Sequence, residues 1–162
     1  MQITLTEDEM IVAASVGTRR RLNGMFNKRT HLAQYEGDAW SNDVEGAAGE
    51  MAVAKGLKMY WNCSATYPPP GRDVGNVEVR TRSQGHYELN IRPKDEDAAP
   101  FVLATGKAPR FDLRGWFFAG EAKQHPEWSH THGGRSPAWF VPTHLLRSLE
   151  ELIELDRLGL LV

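Results

Sequence analysis

The chain has 162 residues, with 19 Lys and Arg against 21 Asp and Glu and a formal net charge of -2. That length suits a single domain over 1–162 that buries its core without a disulfide or structural metal, and the single cysteine, Cys63, rules out an internal disulfide framework or a Cys-rich zinc module. The charge balance argues against a protein that coats nucleic acid through bulk positive charge, but leaves room for a local basic cleft.

No stretch approaches the roughly 18 apolar residues of a membrane helix. The acidic start Met1–Glu9 is unlike a signal peptide, so the expectation is a cytoplasmic protein with no membrane partner.

Taken in order, Thr6 and Glu9 have the spacing of a capping box, with Leu5 and Met10 as its hydrophobic staple, and predict a first helix that runs into Arg19-Arg20-Arg21. Periodicity is weak over 23–40, where Lys28, Arg29 and His31 extend the basic side; 1–40 reads as a helical N-terminal part. A second helix is expected from Asn42, capped with Glu45 and stopped near Gly56. Strand-like runs follow at 58–62, 73–82, 87–92, 101–105 and 110–119, with a stiff Pro68-Pro69-Pro70-Gly71 loop before the second. The polar stretch 122–137 reads as a mobile loop, 138–141 as a short strand, and 143–158 as a last helix. Helices, then mostly strands, then a helix indicate an α+β protein.

The chemistry gathers in 73–82. From Val77 to Arg82 the residues alternate, so Val77, Val79 and Thr81 share one face while Glu78, Arg80 and Arg82 share the other. By itself this is also the pattern of a half-buried strand with a solvated charged face. Gly75-Asn76 permits a tight turn that lets Asp73 and Glu78 converge. Two adjacent carboxylates repel unless a cation lies between them, and oxygen-only ligands favour Mg²⁺ or Mn²⁺.

Glu50 is the second signal. Its helical neighbours Gly46, Ala47, Val53, Ala54 and Leu57 are small or apolar, which puts a carboxylate on the face that packs against the sheet. Such a group needs a partner: either an arginine, Arg80 being one candidate, or a shared metal site. Glu45 reads as a capping residue.

Glu50 on a helix, then Asp73-Val74-Gly75-Asn76-Val77-Glu78-Val79-Arg80-Thr81, resembles the PD-(D/E)XK nuclease family. The similarity covers 42–92, and the compact size resembles small phage or prophage members. It implies a restriction-endonuclease-like core, with a mixed central β-sheet flanked by helices. It also implies a divalent-metal-dependent nuclease acting on phosphodiester bonds in nucleic acid, DNA more than RNA, and a homodimer where both strands are cut.

Under that resemblance Asp73, Glu78 and the Val79 carbonyl hold Mg²⁺ or Mn²⁺, and Glu50 completes the site. Arg80 stands where the family has lysine, orienting water and offsetting charge on phosphorus. Two departures are Arg72 before Asp73, where the family name has proline, and Arg80 itself, which cannot deprotonate to act as a base. The alternative is a catalytically inactive protein on the same fold that binds nucleic acid or a host protein.

Arg19, Arg20, Lys28, Arg29, Arg82 and Arg135 are candidate phosphate contacts, and Arg19–Arg29 reads equally well as a solvated helix end. His125, His130 and His132 lack the further ligands of a zinc site. With Trp128 and Arg135 their loop is a candidate substrate flap. Trp116, Phe117 and Phe118 read as core, Cys63 as structural, and Glu150, Glu151, Glu154 and Asp156 as the wet face of the last helix, with Leu149, Ile153 and Leu160 turned inward.

Overall fold

The computed structural model describes residues 1–27, 38–66, 71–131 and 136–161. Lys28, Arg29, His31, Pro68–Pro70, His132 and Arg135 lie outside the described residues, and with them parts of the basic side, the proline loop and the flap. Among the described residues, four helices accompany two sheets in a mixed α+β fold: β1 (Gln2–Thr4), α1 (Glu7–Phe26), α2 (Ala39–Leu57), β2 (Glu78–Arg82), β3 (Leu89–Ile91), β4 (Pro100–Lys107), β5 (Arg110–Phe118), α3 (Ala119–Lys123), β6 (Ser129–His130), β7 (Ala138–Val141) and α4 (Leu149–Arg157).

The first sheet has the order β1-β5-β4-β2. It is mixed, because β2 runs parallel to β4 (Glu78 opposite Phe101) while β4–β5 and β5–β1 are antiparallel. The second, β3-β7-β6, is antiparallel throughout.

Alternation along β4 joins these parts. Val102 and Ala104 pack with Ala47, Ala52 and Val53 of α2 and with Val16 of α1, whereas Phe101 and Leu103 pack with Leu89 and Ile91 of β3, Val141 of β7 and Ala119 of α3. Helices therefore cover one face of the mixed sheet, and the second sheet with α3 covers the other.

Gly49 fixes how closely α2 approaches β2. A Cβ there would lie 2.0 Å from Thr81 Oγ1 and 2.9 Å from Thr81 Cβ, so only glycine admits this contact, and it sets Glu50 beside the start of β2.

The Thr6–Glu9 capping box forms in both directions. Other boundaries are corrected. Helix α2 starts earlier than Asn42, because Asp38 caps it by accepting from the Trp40 N–H, and Glu45 instead accepts from the Ala108 N–H at 2.9 Å. It ends one residue past Gly56, with Lys58 in the left-handed region as its cap.

The run 58–62 contributes only a single bridge, Trp61 to Val74. In place of a loop from 122, α3, a 3-10 turn at Pro126–Trp128 and β6 occupy 119–130, held by packing of Trp128 against Phe117. The last helix begins only after Ser148, which caps Glu151. Leu149 and Leu152 face inward rather than Ile153, and Leu160 is exposed while Leu161 is buried. Cys63 is exposed, with φ 51.

A candidate carboxylate centre at the edge of the mixed sheet

Strand β2 is the outer strand of the mixed sheet, and the chain enters it through a two-residue turn. Val74 and Val77 exchange backbone hydrogen bonds at 3.1 and 2.9 Å, and Gly75 at φ +52 makes the reversal. This places Asp73 alongside Val79, whose N–H donates to Asp73 Oδ2 at 2.9 Å. A residue in a strand presents its N–H and C=O to the same edge. The Val79 carbonyl therefore faces the open side of the sheet with Asp73, away from β4.

Asp73 and Glu78 are close enough to interact strongly. Burial first, and then the Glu78 charge, push the Asp73 carboxyl up from 3.8 to about 6, against the pull of the Val79 N–H and of Arg20. Arg72 Nη1 lies 3.5 Å from Glu78 Oε1 and 3.0 Å from Glu96 Oε2. The donor set of Asp73, Glu78 and the Val79 carbonyl is all oxygen, the chemistry that suits a hard divalent ion.

Glu50 is buried on the sheet-facing side of α2, the face expected for it, and it feels the Asp73 charge. Its partner is an arginine, but Arg20 rather than Arg80. Arg20 Nη1 and Nη2 donate to Glu50 Oε1 and Oε2 at 2.6 and 2.8 Å, and Trp61 Nε1 donates to Oε2 at 2.9 Å. Burial pushes the Glu50 carboxyl up, the Arg20 fork opposes it, and the Asp73 charge adds to the rise. Asp73 thus feels Glu78, and Glu50 feels Asp73. Among the described residues no three His, Cys, Asp or Glu side chains are arranged as a ready metal cage.

Arg80 lies on the opposite face of β2 from Val79 and Thr81, as the alternation requires. Its Nη2 donates to Asp95 Oδ2 at 2.5 Å and its Nε to the Asn90 carbonyl at 3.2 Å, while the guanidinium stacks 4.4 Å from the Phe101 ring centre. Arg82 sits over Tyr87 at 4.7 Å. Arg19 is exposed on α1.

The structure thus sets Asp73 within reach of the charges of Glu78 and Glu50, makes Arg20 the ion-pair partner of Glu50 and not only a surface cation, and seats Arg80 on Asp95.

Sequence reasoning missed Arg20 and Trp61 as members of the centre. A signal for Arg20 was present: the buried residues of α1 are Ala13, Val16, Gly17 and Gly24, and position 20 falls on that stripe. An arginine on a buried stripe requires a carboxylate. Trp61 carries no comparable signal.

Among the described residues no helix is long and apolar enough to cross a membrane. Comparisons with family models, with curated proteins and with solved structures return no match.

Proposed function

We propose that the chain is a divalent-metal-dependent nuclease of the PD-(D/E)XK type, with a restriction-endonuclease-like core, that hydrolyses phosphodiester bonds in DNA. The observation that carries the reading is the Asp73–Glu78 pair at the edge of β2, with the raised Asp73 carboxyl and the Val79 carbonyl on the same open side.

Asp73, Glu78 and the Val79 carbonyl would hold Mg²⁺ or Mn²⁺, with Glu50 completing the set directly or through water. A bound divalent ion would lower the pKa of an attacking water and offset negative charge developing at phosphorus. The chain's own part is positional. The Gly75 turn fixes Asp73 against Val79, and the Gly49–Thr81 contact fixes Glu50 behind them. Arg80 occupies the strand position of the family's lysine. It supplies fixed charge without a proton to exchange, and Asp95 and the Asn90 carbonyl hold its fork.

The test is incubation with plasmid and oligonucleotide substrates in Mg²⁺, Mn²⁺ or chelator. Cleavage is expected with the metals and is lost in chelator and in Glu78→Ala. Cleavage that survives chelator or Glu78→Ala would overturn the proposal.

The second reading, an inactive protein on the same fold that binds nucleic acid or another protein, is favoured by the satisfied state of Glu50, whose two oxygens already accept three hydrogen bonds. It predicts no cleavage under any metal.

A further inference from the structure

Helix α1 is inverted in the size of the side chains it buries. Those residues are Ala13, Val16, Gly17 and Gly24, none larger than valine, because α1 and α2 run close together: a Cβ on Gly17 would lie 2.6 Å from the Asp43 carbonyl oxygen. The large apolar residues of α1 face outward instead. Ile11 is 58% exposed, Met25 51% and Phe26 81%, and Val12 and Leu22 are exposed with them. Packing within one chain makes no use of such a face, and an exposed apolar stripe marks an interaction surface.

At about 3.6 residues per turn, Ile11, Ser15, Leu22 and Phe26 fall within roughly 60° of arc, a stripe about 22 Å long. Ser15, between its apolar ends, is small, and its hydroxyl donates to the Ile11 carbonyl of its own helix at 2.8 Å. Asp8 and Arg19 share one flank of the stripe, and both are exposed. Among the described residues neither has an ion pair, whereas the adjacent Glu9 is taken by Lys55 and by the Thr6 N–H.

We infer that the outward face of α1 docks a second copy of this chain, the two α1 helices lying antiparallel across a twofold axis that passes near Ser15 and Thr18. The inference stands apart from the nuclease reading and needs no metal. Two features select the occupant. Apolar side chains sit at both ends of the stripe with Ser15 and Thr18 between, so an antiparallel copy sets Ile11 of each chain against Leu22 of the other. The flanking charges are complementary in that direction alone: Arg19 of each chain turns toward Asp8 of the other, while a parallel pair would set Asp8 on Asp8 and Arg19 on Arg19. A face with an apolar centre and one charge of each sign does not suit a phosphate backbone or an anionic lipid surface, which call for a basic one. A single helix pair buries less than the roughly 1,600 Å² of a standard interface, so the association is micromolar.

The experiment is sedimentation equilibrium of the full chain at about 5 to 300 µM, at low salt because exposed ion pairs are screened. Wild type is compared with the double variant Ile11→Glu and Leu22→Glu, with Asp8→Lys, with Arg19→Glu, and with Asp8→Lys and Arg19→Glu combined. Circular dichroism verifies each fold. All four positions are exposed, and the charge series decides the matter by itself where the apolar double variant does not fold.

Wild type is expected to dimerise, and the apolar double variant to associate at least about tenfold more weakly. Each single charge reversal should weaken the dimer about three- to fivefold, and the combined reversal should restore it to within about twofold of wild type, because it rebuilds both pairs with their signs exchanged. A wild type that stays monomeric throughout, including one that instead binds phosphatidylglycerol vesicles, would overturn the inference. So would a dimer that the apolar double variant leaves intact, since its interface then lies elsewhere, or a combined reversal no stronger than the single ones, since Asp8 and Arg19 then do not meet.

Discussion

Asp73→Asn separates what the carboxylate centre costs the fold from what it does. Burial and the Glu78 charge raise the Asp73 carboxyl from 3.8 to about 6. A displacement of about two pH units corresponds to ~3 kcal/mol between the two protonation states. The sign follows from proton binding: between about pH 4 and pH 6 the folded protein keeps a proton that the unfolded chain has released, so stability falls as pH rises through that window and levels off above it.

Asparagine keeps an oxygen to accept the Val79 N–H and offers Glu78 a donor in place of a second negative charge. In chelator at pH 8, Asp73→Asn should therefore be more stable than wild type by ~2–3 kcal/mol, or ~4–12 °C in Tm at about 2–4 °C per kcal/mol. The gain should shrink toward zero at pH 4. Thermal unfolding by calorimetry at pH 4, 6 and 8 measures it. A variant less stable than wild type at pH 8, or a difference independent of pH, would refute the reasoning. Adding Mn²⁺ should reverse the order, stabilising wild type and not the variant, since a ligand that binds the folded state stabilises it by mass action.

Substitutions at three further positions test the scaffold around the centre. Gly49→Ala forces a Cβ to within 2.0 Å of Thr81 Oγ1, and urea unfolding should show a loss of ~1–3 kcal/mol, the usual cost of overpacking. Glu50→Ala leaves the Arg20 fork without its carboxylate, and the same assay should show a loss near ~3 kcal/mol, the lower end for breaking a buried pair because Arg20 keeps some contact with water. On the proposed nuclease reading, Arg80→Lys should retain Mg²⁺-dependent plasmid cleavage, since lysine keeps the positive charge at that strand position. Arg80→Met strips Asp95 of its cationic partner, and should reduce both cleavage and thermal stability.

Much of the local structure was legible because it is written in short-range chemistry. The Thr6–Glu9 spacing specifies a cap that forms with partners three residues apart. The Gly75-Asn76 pair specifies a reversal, and the alternation from Val77 to Arg82 specifies which side chains face the helices. The burial of Glu50 was legible for the same reason, from its neighbours one turn away.

Long-range choices were not legible. Arg20 and Glu50 lie 30 residues apart on different helices, and no spacing rule pairs them. Arg80 was taken by Asp95, 15 residues on, only because β3 and the turn after it fold back over Phe101. Strand β1 has three residues and little pattern of its own; it exists because β5 offers an edge opposite Phe111. The late start of α4 reflects the bridge of Arg147 to Trp116, which holds the chain extended up to the Ser148 cap.

The central claim is that the edge of β2 binds a divalent cation through Asp73 and Glu78. The direct measurement is a crystal structure of the full chain grown in Mn²⁺, with the ion located by its anomalous scattering. The account predicts a peak about 2.1 Å from carboxylate oxygens of both Asp73 and Glu78. A peak elsewhere, or no peak, would contradict it.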